Sequence, residues 1–173
     1  MLLRGINLGS NNRVAMPALR DALTATGFDN VRTYVQSGNV LVDSGADSRE
    51  VRRRVERLLN DTFGLSVPVI TRTREDLARI VAANPLAEHA TDPKRYQVSF
   101  LSEPLAAGVV DRLQAVAVAP ERLFVDGCEL YAWHPEGVAR SKLWNALAGT
   151  GLGVTATARN WTTVTTLLQM ASE

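Results

Sequence analysis

The chain has 173 residues, of which 46% are hydrophobic and 21% charged, with a formal net charge of +1, a profile that suits a globular chain with one substantial core. The near-neutral balance, with a pI of about 7.9, argues against a protein that lives by wrapping phosphate backbones. No apolar run is long enough to span a bilayer, and Arg4 and Gly5 interrupt the N-terminus before a secretory signal can form; the lone Cys128 excludes an internal disulfide and points to a reducing cytoplasm.

Leu2 to Leu8 reads as a short strand, followed by a loop of turn-forming residues, Gly9 to Arg13. Pro17 suits a first helical position, Leu19, Ala22 and Leu23 give one apolar face, and Gly27 ends this first helix. From Val31 to Val42 the chain alternates, breaks at Ser37-Gly38-Asn39 and alternates again, as a β-hairpin with a polar tip does. Asp47 with Glu50 three residues on forms a capping box, and Val51, Val55, Leu58 and Leu59 form the buried stripe of a second helix stopped at Gly64. Val67 to Thr71 is a fourth strand, and Pro68 within it confines it to a sheet edge because proline cannot donate to a ladder. The order is βαββαβ, and in a sheet of strand order 4132 the fourth strand is an edge.

Thr73 to Ala83 is a connecting helix capped by Thr73 and Asp76. The same grammar then returns. Tyr96, Val98 and Phe100 alternate with Gln97, Ser99 and Leu101, Pro104 opens a helix, and Leu123 to Val125 leads into Asp126-Gly127, expected as a two-residue turn. Cys128 to Trp133 is the return strand, Ser141 to Ala148 a helix, Val154 to Ala158 the last strand, and a final helix starts at Trp161 with Asn160 as its cap. The chain therefore reads as an α+β protein made by tandem duplication of a ferredoxin-like βαββαβ unit, with antiparallel sheets and helices packed on one face. Residues 1–84 form the first repeat with its connecting helix and 85–173 the second with its C-terminal helix, together in a single compact domain.

Four blocks carry a resemblance: LLRGINLGSNNRVAMPALRDAL, GFDNVRTYVQSGNVLV, HPEGVARSKL and TATARNWTTVTTLLQMA. In this order and over nearly the whole chain they resemble the bacterial family called domain of unknown function 1697, which has no established activity to carry over. The resemblance implies a few more residues before the first strand than Met1 allows, so that strand is expected to be shorter than its repeat mate at Arg95 to Leu101. It also implies glycine where Ala139 stands.

Arg4, Asn7, Asn11 and Arg13 cluster at the end of the first strand, and βαββαβ topology places that end on the same rim as Gln36, Ser37 and Asn39. Arg140-Ser141-Lys142 and Arg159-Asn160 each precede a helix, where cations call for something negative nearby. These twelve residues are the candidate ligand contacts. The functional reading is a site for a small phosphorylated or carboxylated ligand, with arginine supplying a fork of donors; the competing structural reading is that the asparagines close turns, Asn160 merely caps, and the arginines pair with carboxylates. If all four segments serve one cleft, the unlike rims of the two repeats must meet.

Other chemistries find little support. His134 and Ser141 lack a glycine-framed nucleophile elbow, and His89, His134 and Cys128 lack the spacing of metal ligands, so no metal site is expected. No dinucleotide fingerprint or phosphate-binding loop is present, and no cofactor is expected. The arginines at 49, 52, 53, 54 and 57 read as a solvated helix face among Glu50 and Glu56. Nucleic acid is an unfavoured partner, because the first repeat's central strands carry no aromatic residue and Tyr96, Val98 and Phe100 read as the core face. The rival to ligand binding is an interaction module that pairs with a partner or with itself, as a homodimer, through sheet edges.

Overall fold

The computed structural model describes residues 1–8, 12–148 and 150–173, apart from the Thr150 side chain. Two compact units emerge: Met1–Asp76 with Gln169–Glu173, and Leu77–Leu168.

The first unit holds β1 (Leu2–Leu3), α1 (Met16–Ala25), β2 (Asp29–Tyr34), β3 (Asn39–Asp43), α2 (Ser48–Phe63) and β4 (Val69–Ile70), in the sheet order β2-β3-β1-β4. That is the expected 4132 order, and every pairing among the described strands is antiparallel. Pro68 sits just before the edge strand β4, where its carbonyl accepts from Arg4 N–H at 3.0 Å. The strand expected to reach Leu8 stops at Leu3. Gly5 (φ 69°) and Asn7 (φ 54°) take left-handed backbone, which no ladder can continue through.

Sequence dictates both ends of α2. Asp47 Oδ1 accepts the Glu50 N–H at 2.8 Å, satisfying one of the orphan donors of the first turn, and this bond holds the Asp47 carboxyl below the usual carboxylate range. Gly64 closes the other end in left-handed conformation (φ 65°), which glycine adopts without steric cost. The face expected to be solvated is partly engaged: Arg54 lies 4.4 Å from the Phe28 ring centroid, while Arg53 pairs with Glu50. Val51, Val55, Leu58 and Leu59 join Leu3, Ile6, Leu19, Leu23, Phe28 and Val40 in one core. At the far end of the chain, Glu173 pairs with Arg32 of β2 at 3.4 Å.

α3 (Arg74–Ala83) begins in the first unit and continues into the second. Its cap is reciprocal: Thr73 N–H donates to Asp76 Oδ2 at 3.0 Å and Asp76 N–H to Thr73 Oγ1 at 3.1 Å.

The second unit repeats the pattern with β5 (Tyr96–Leu101), α4 (Ala107–Val116), β6 (Arg122–Asp126), β7 (Glu129–Trp133), α5 (Lys142–Ala148), β8 (Ala156–Asn160) and most of α6 (Trp161–Ala171), in the sheet order β6-β7-β5-β8. β5 has six residues against two in β1. The β6–β7 turn differs from expectation by one position. Asp126 pairs with Glu129, so the turn residues are Gly127 and Cys128, with positive φ at Gly127 (55°), as a turn with glycine first requires. The helix expected from Pro104 begins at Ala107.

Leu101, Leu130 and Ala132 pack with Leu113, Leu143 and Leu147 of α4 and α5. Tyr96, Val98 and Phe100 are core residues as expected, and the register sets which face they take: Tyr96 is opposite Trp133 and Val98 opposite Tyr131, so all five line the face away from α4 and α5. There Tyr96 stacks on Trp161 at 4.8 Å between centroids, and Tyr131 Oη donates to the Ile80 carbonyl at 3.3 Å. Tyr96, Phe100 and Tyr131 are buried, so they are not a platform for stacked bases.

Candidate functional site

In the first unit the loop after β1 and the β2–β3 hairpin meet. Asn7 joins them: its Nδ2 donates to the Val14 carbonyl at 2.9 Å and to the Gln36 carbonyl at 2.8 Å, and its Oδ1 accepts the Val14 N–H at 2.9 Å. Both amide protons and the carbonyl oxygen are thereby engaged with main chain. One strand away, Leu3 N–H donates to the Gly38 carbonyl at 2.9 Å. Asn39 is fully buried, and its Nδ2 donates to the Tyr34 carbonyl (3.2 Å) and Ser37 Oγ (3.0 Å). The two asparagines therefore hold the tip's shape from inside.

Left-handed backbone recurs on this rim. Gly5, Asn7, Asn12, Val35 and Gly38 all have positive φ, between 50° and 73°. Val35 is the costly member, because a β-branched side chain is poorly tolerated there, and it stands 52% exposed beside Gln36. Arg4 is half-buried and Gln36 exposed. Among the described residues, neither side chain has a hydrogen bond or ion pair, whereas Arg13 is exposed and engaged. Asn11 lies outside the described residues.

In the second unit the candidates have different settings. Ser141 is buried and caps α5, its Oγ accepting the Trp144 N–H at 2.8 Å; Asn160 caps α6, its Oδ1 accepting the Thr163 N–H at 2.9 Å. Arg159 belongs to β8 rather than to a helix start. Its Nη1 donates to Thr157 Oγ1 and the Ala158 carbonyl, each at 2.8 Å, and burial lowers its pKa to about 10, leaving it charged at neutral pH. Arg140 and Lys142 are exposed and have no such bonds among the described residues.

The His134 and Ser141 pair weighed in the sequence gains a third member that the sequence did not reveal, Glu121. His134 is fully buried; its Nδ1 is 2.8 Å from Glu121 Oε1 and 3.1 Å from Ser141 Oγ. An ionised carboxylate only accepts, so Nδ1 carries the proton and donates it to Glu121. The nitrogen facing the serine is then the protonated one, leaving no base to take the hydroxyl proton, which is the reverse of a nucleophilic relay. His134 Nε2 is buried without a hydrogen-bond partner among the described residues. The signal for this cluster was the hairpin register: with Arg122 opposite Trp133, Glu121 falls beside His134, whereas a turn at Asp126-Gly127 would pair it elsewhere. Among the described residues, no group of three or more His, Cys, Asp or Glu is placed to hold a metal ion, and no helix is long and apolar enough to cross a membrane.

The family described as "Protein of unknown function (DUF1697)" matches residues 1–131. The chain belongs to this family. The DUF1697 match includes the β1 loop, the β2–β3 hairpin and β6. No curated protein matches the chain. A solved structure that resembles it is that of the conserved bacterial protein SP0830 from Streptococcus pneumoniae, with 24% identity, a TM-score of 0.78, and coverage of 98% of this chain and 96% of that one. At that identity the likeness establishes the duplicated fold of this DUF1697 chain and leaves its chemistry to its own side chains.

Proposed function

We propose that this DUF1697 protein binds a small anionic ligand, phosphorylated or carboxylated, at the rim of its first unit, with Arg4 as the charge contact and Gln36 as a neutral hydrogen-bonding contact. The observation that carries this reading is Arg4 itself: a half-buried arginine whose side chain has no acceptor among the described residues, next to a hairpin tip held in shape by Asn7 and Asn39. An arginine without an acceptor gains from a carboxylate or phosphate that can take its fork of donors. The strained backbone around it is the kind of feature that clusters at ligand sites. In this reading Asn7, Ser37 and Asn39 form the frame and Arg4 and Gln36 do the binding. Arg140 and Lys142 are the corresponding side chains of the second unit without a bond among the described residues, while Ser141 caps α5 and Asn160 caps α6.

The test is a thermal-shift panel of inorganic phosphate, nucleotides, sugar phosphates and small carboxylates. A ligand at about 100 times its Kd adds ~2.7 kcal/mol to stability, and Arg4→Ala is expected to remove that shift while leaving the unliganded melting temperature unchanged. Silence across the panel, or a saturable shift that survives Arg4→Ala, defeats the proposal.

A further inference from the structure

We infer that β6 is a self-complementary edge through which two copies of this chain pair as an antiparallel twofold dimer. Leu101 N–H donates to the Cys128 carbonyl at 2.9 Å and His134 N–H to the Arg95 carbonyl at 3.1 Å. The even-numbered residues of β7 therefore turn their main-chain groups toward β5, and Glu129, Tyr131 and Trp133 turn theirs toward β6. Their partners there are Asp126, Phe124 and Arg122. That leaves the N–H and C=O of Leu123 and Val125 pointing off the sheet, and β6 has no second neighbour among the described strands.

The other edges are blunted. β2 is broken by a register shift between Asp29 and Arg32, β4 is two residues long, and every residue of β8 is half-buried or buried. β6 is regular over five residues and alternates exposed with half-buried side chains, without the bulge, proline or short length that protects natural edges.

A second copy set antiparallel about Phe124 satisfies every outward group: Leu123 and Val125 of one copy exchange hydrogen bonds with Val125 and Leu123 of the other. Phe124 then faces Phe124, and Arg122 faces Asp126, twice. These are the non-hydrogen-bonded positions, where opposed side chains come closest. Arg122, Phe124 and Asp126 are all exposed, Phe124 by 45%, so each is available for the pairing. The two charges that would repel a misaligned strand attract in this register alone. Five residues a side make a small contact, under about 1,200 Å², so the dimer is weak and forms at high concentration.

The experiment is sedimentation equilibrium of the full chain at low salt, up to about 1 mM. Wild type is expected to dimerise. Arg122→Glu and Asp126→Arg, each folded by circular dichroism, are expected to self-associate roughly tenfold more weakly, since each places like charges opposite one another twice. An equimolar mixture of the two variants restores both attractive pairs and is expected to recover the wild-type affinity. Val125→Pro removes one outward donor while sparing the bonds to β7, and is expected to abolish the dimer. A wild type that stays monomeric, single variants that associate as tightly as wild type, or a mixture that recovers nothing would each overturn the inference.

Discussion

Replacing Gly38 with alanine tests how the hairpin tip is seated on β1. A Cβ at this position would stand 2.8 Å from Leu3 Cβ and 2.9 Å from Ile6 Cγ1 and Cδ1, with φ at +73°. Two costs add. The left-handed backbone costs alanine about 1 kcal/mol relative to glycine, and forcing a methyl group against packed core side chains costs a further ~1–3 kcal/mol. Leu3 and Ile6 are both buried in the core of the first unit, so neither has free space to retreat into, and the total expected is about 2–4 kcal/mol. Gly64→Ala is the control: its φ is +65° and nothing lies within 4 Å of the new Cβ, so it carries the backbone term alone, about 1 kcal/mol. Urea unfolding of both variants against wild type gives the difference directly. Equal losses in the two would refute the close seating of the tip on Leu3 and Ile6.

Val35→Asn is expected to raise stability by about 1 kcal/mol in the same assay, since asparagine tolerates the left-handed backbone that valine strains to adopt; a fall would contradict the strained conformation. Tyr131→Phe is expected to cost about 1 kcal/mol at neutral pH through loss of the bond to the Ile80 carbonyl. Burial first, then the charges of Glu129 and Asp126, push the Tyr131 hydroxyl up to about 12, above its free value of about 10. The unfolded chain therefore gives up this proton first, and the stabilisation is complete below pH 10 and lost as pH rises through about 12. The phenylalanine variant is expected to show a shallower alkaline decline, and identical slopes would refute the assignment.

Much of the fold was legible because its signals are local. The Asp47 cap, the Gly64 stop and the alternation of β2 and β3 each rest on a few adjacent residues, and Pro68 carried topological information because a missing donor is tolerated only at an edge. What was illegible depends on partners distant in sequence. Leu2 to Leu8 has the composition of a strand, yet Asn7 spends its amide on Val14 and Gln36, contacts that exist only once the hairpin is in place. The β6–β7 turn was misplaced by one position because Asp-Gly is the stronger local signal than Gly-Cys, and that single step concealed Glu121 beside His134. Of the candidate site, the grouping of the β1 loop with the hairpin followed from topology. Which side chains spend their hydrogen bonds internally did not, since an asparagine that holds a frame and one that meets a ligand are written alike.

The first unit is discontinuous along the chain: it consists of residues up to Asp76 together with Gln169–Glu173, and the second unit is made in between. During synthesis on the ribosome, the unit that emerges first is thus the last to receive all its parts. A fragment cut after Asp76 would contain every strand of the first unit's sheet and still lack the segment that brings Glu173 to Arg32.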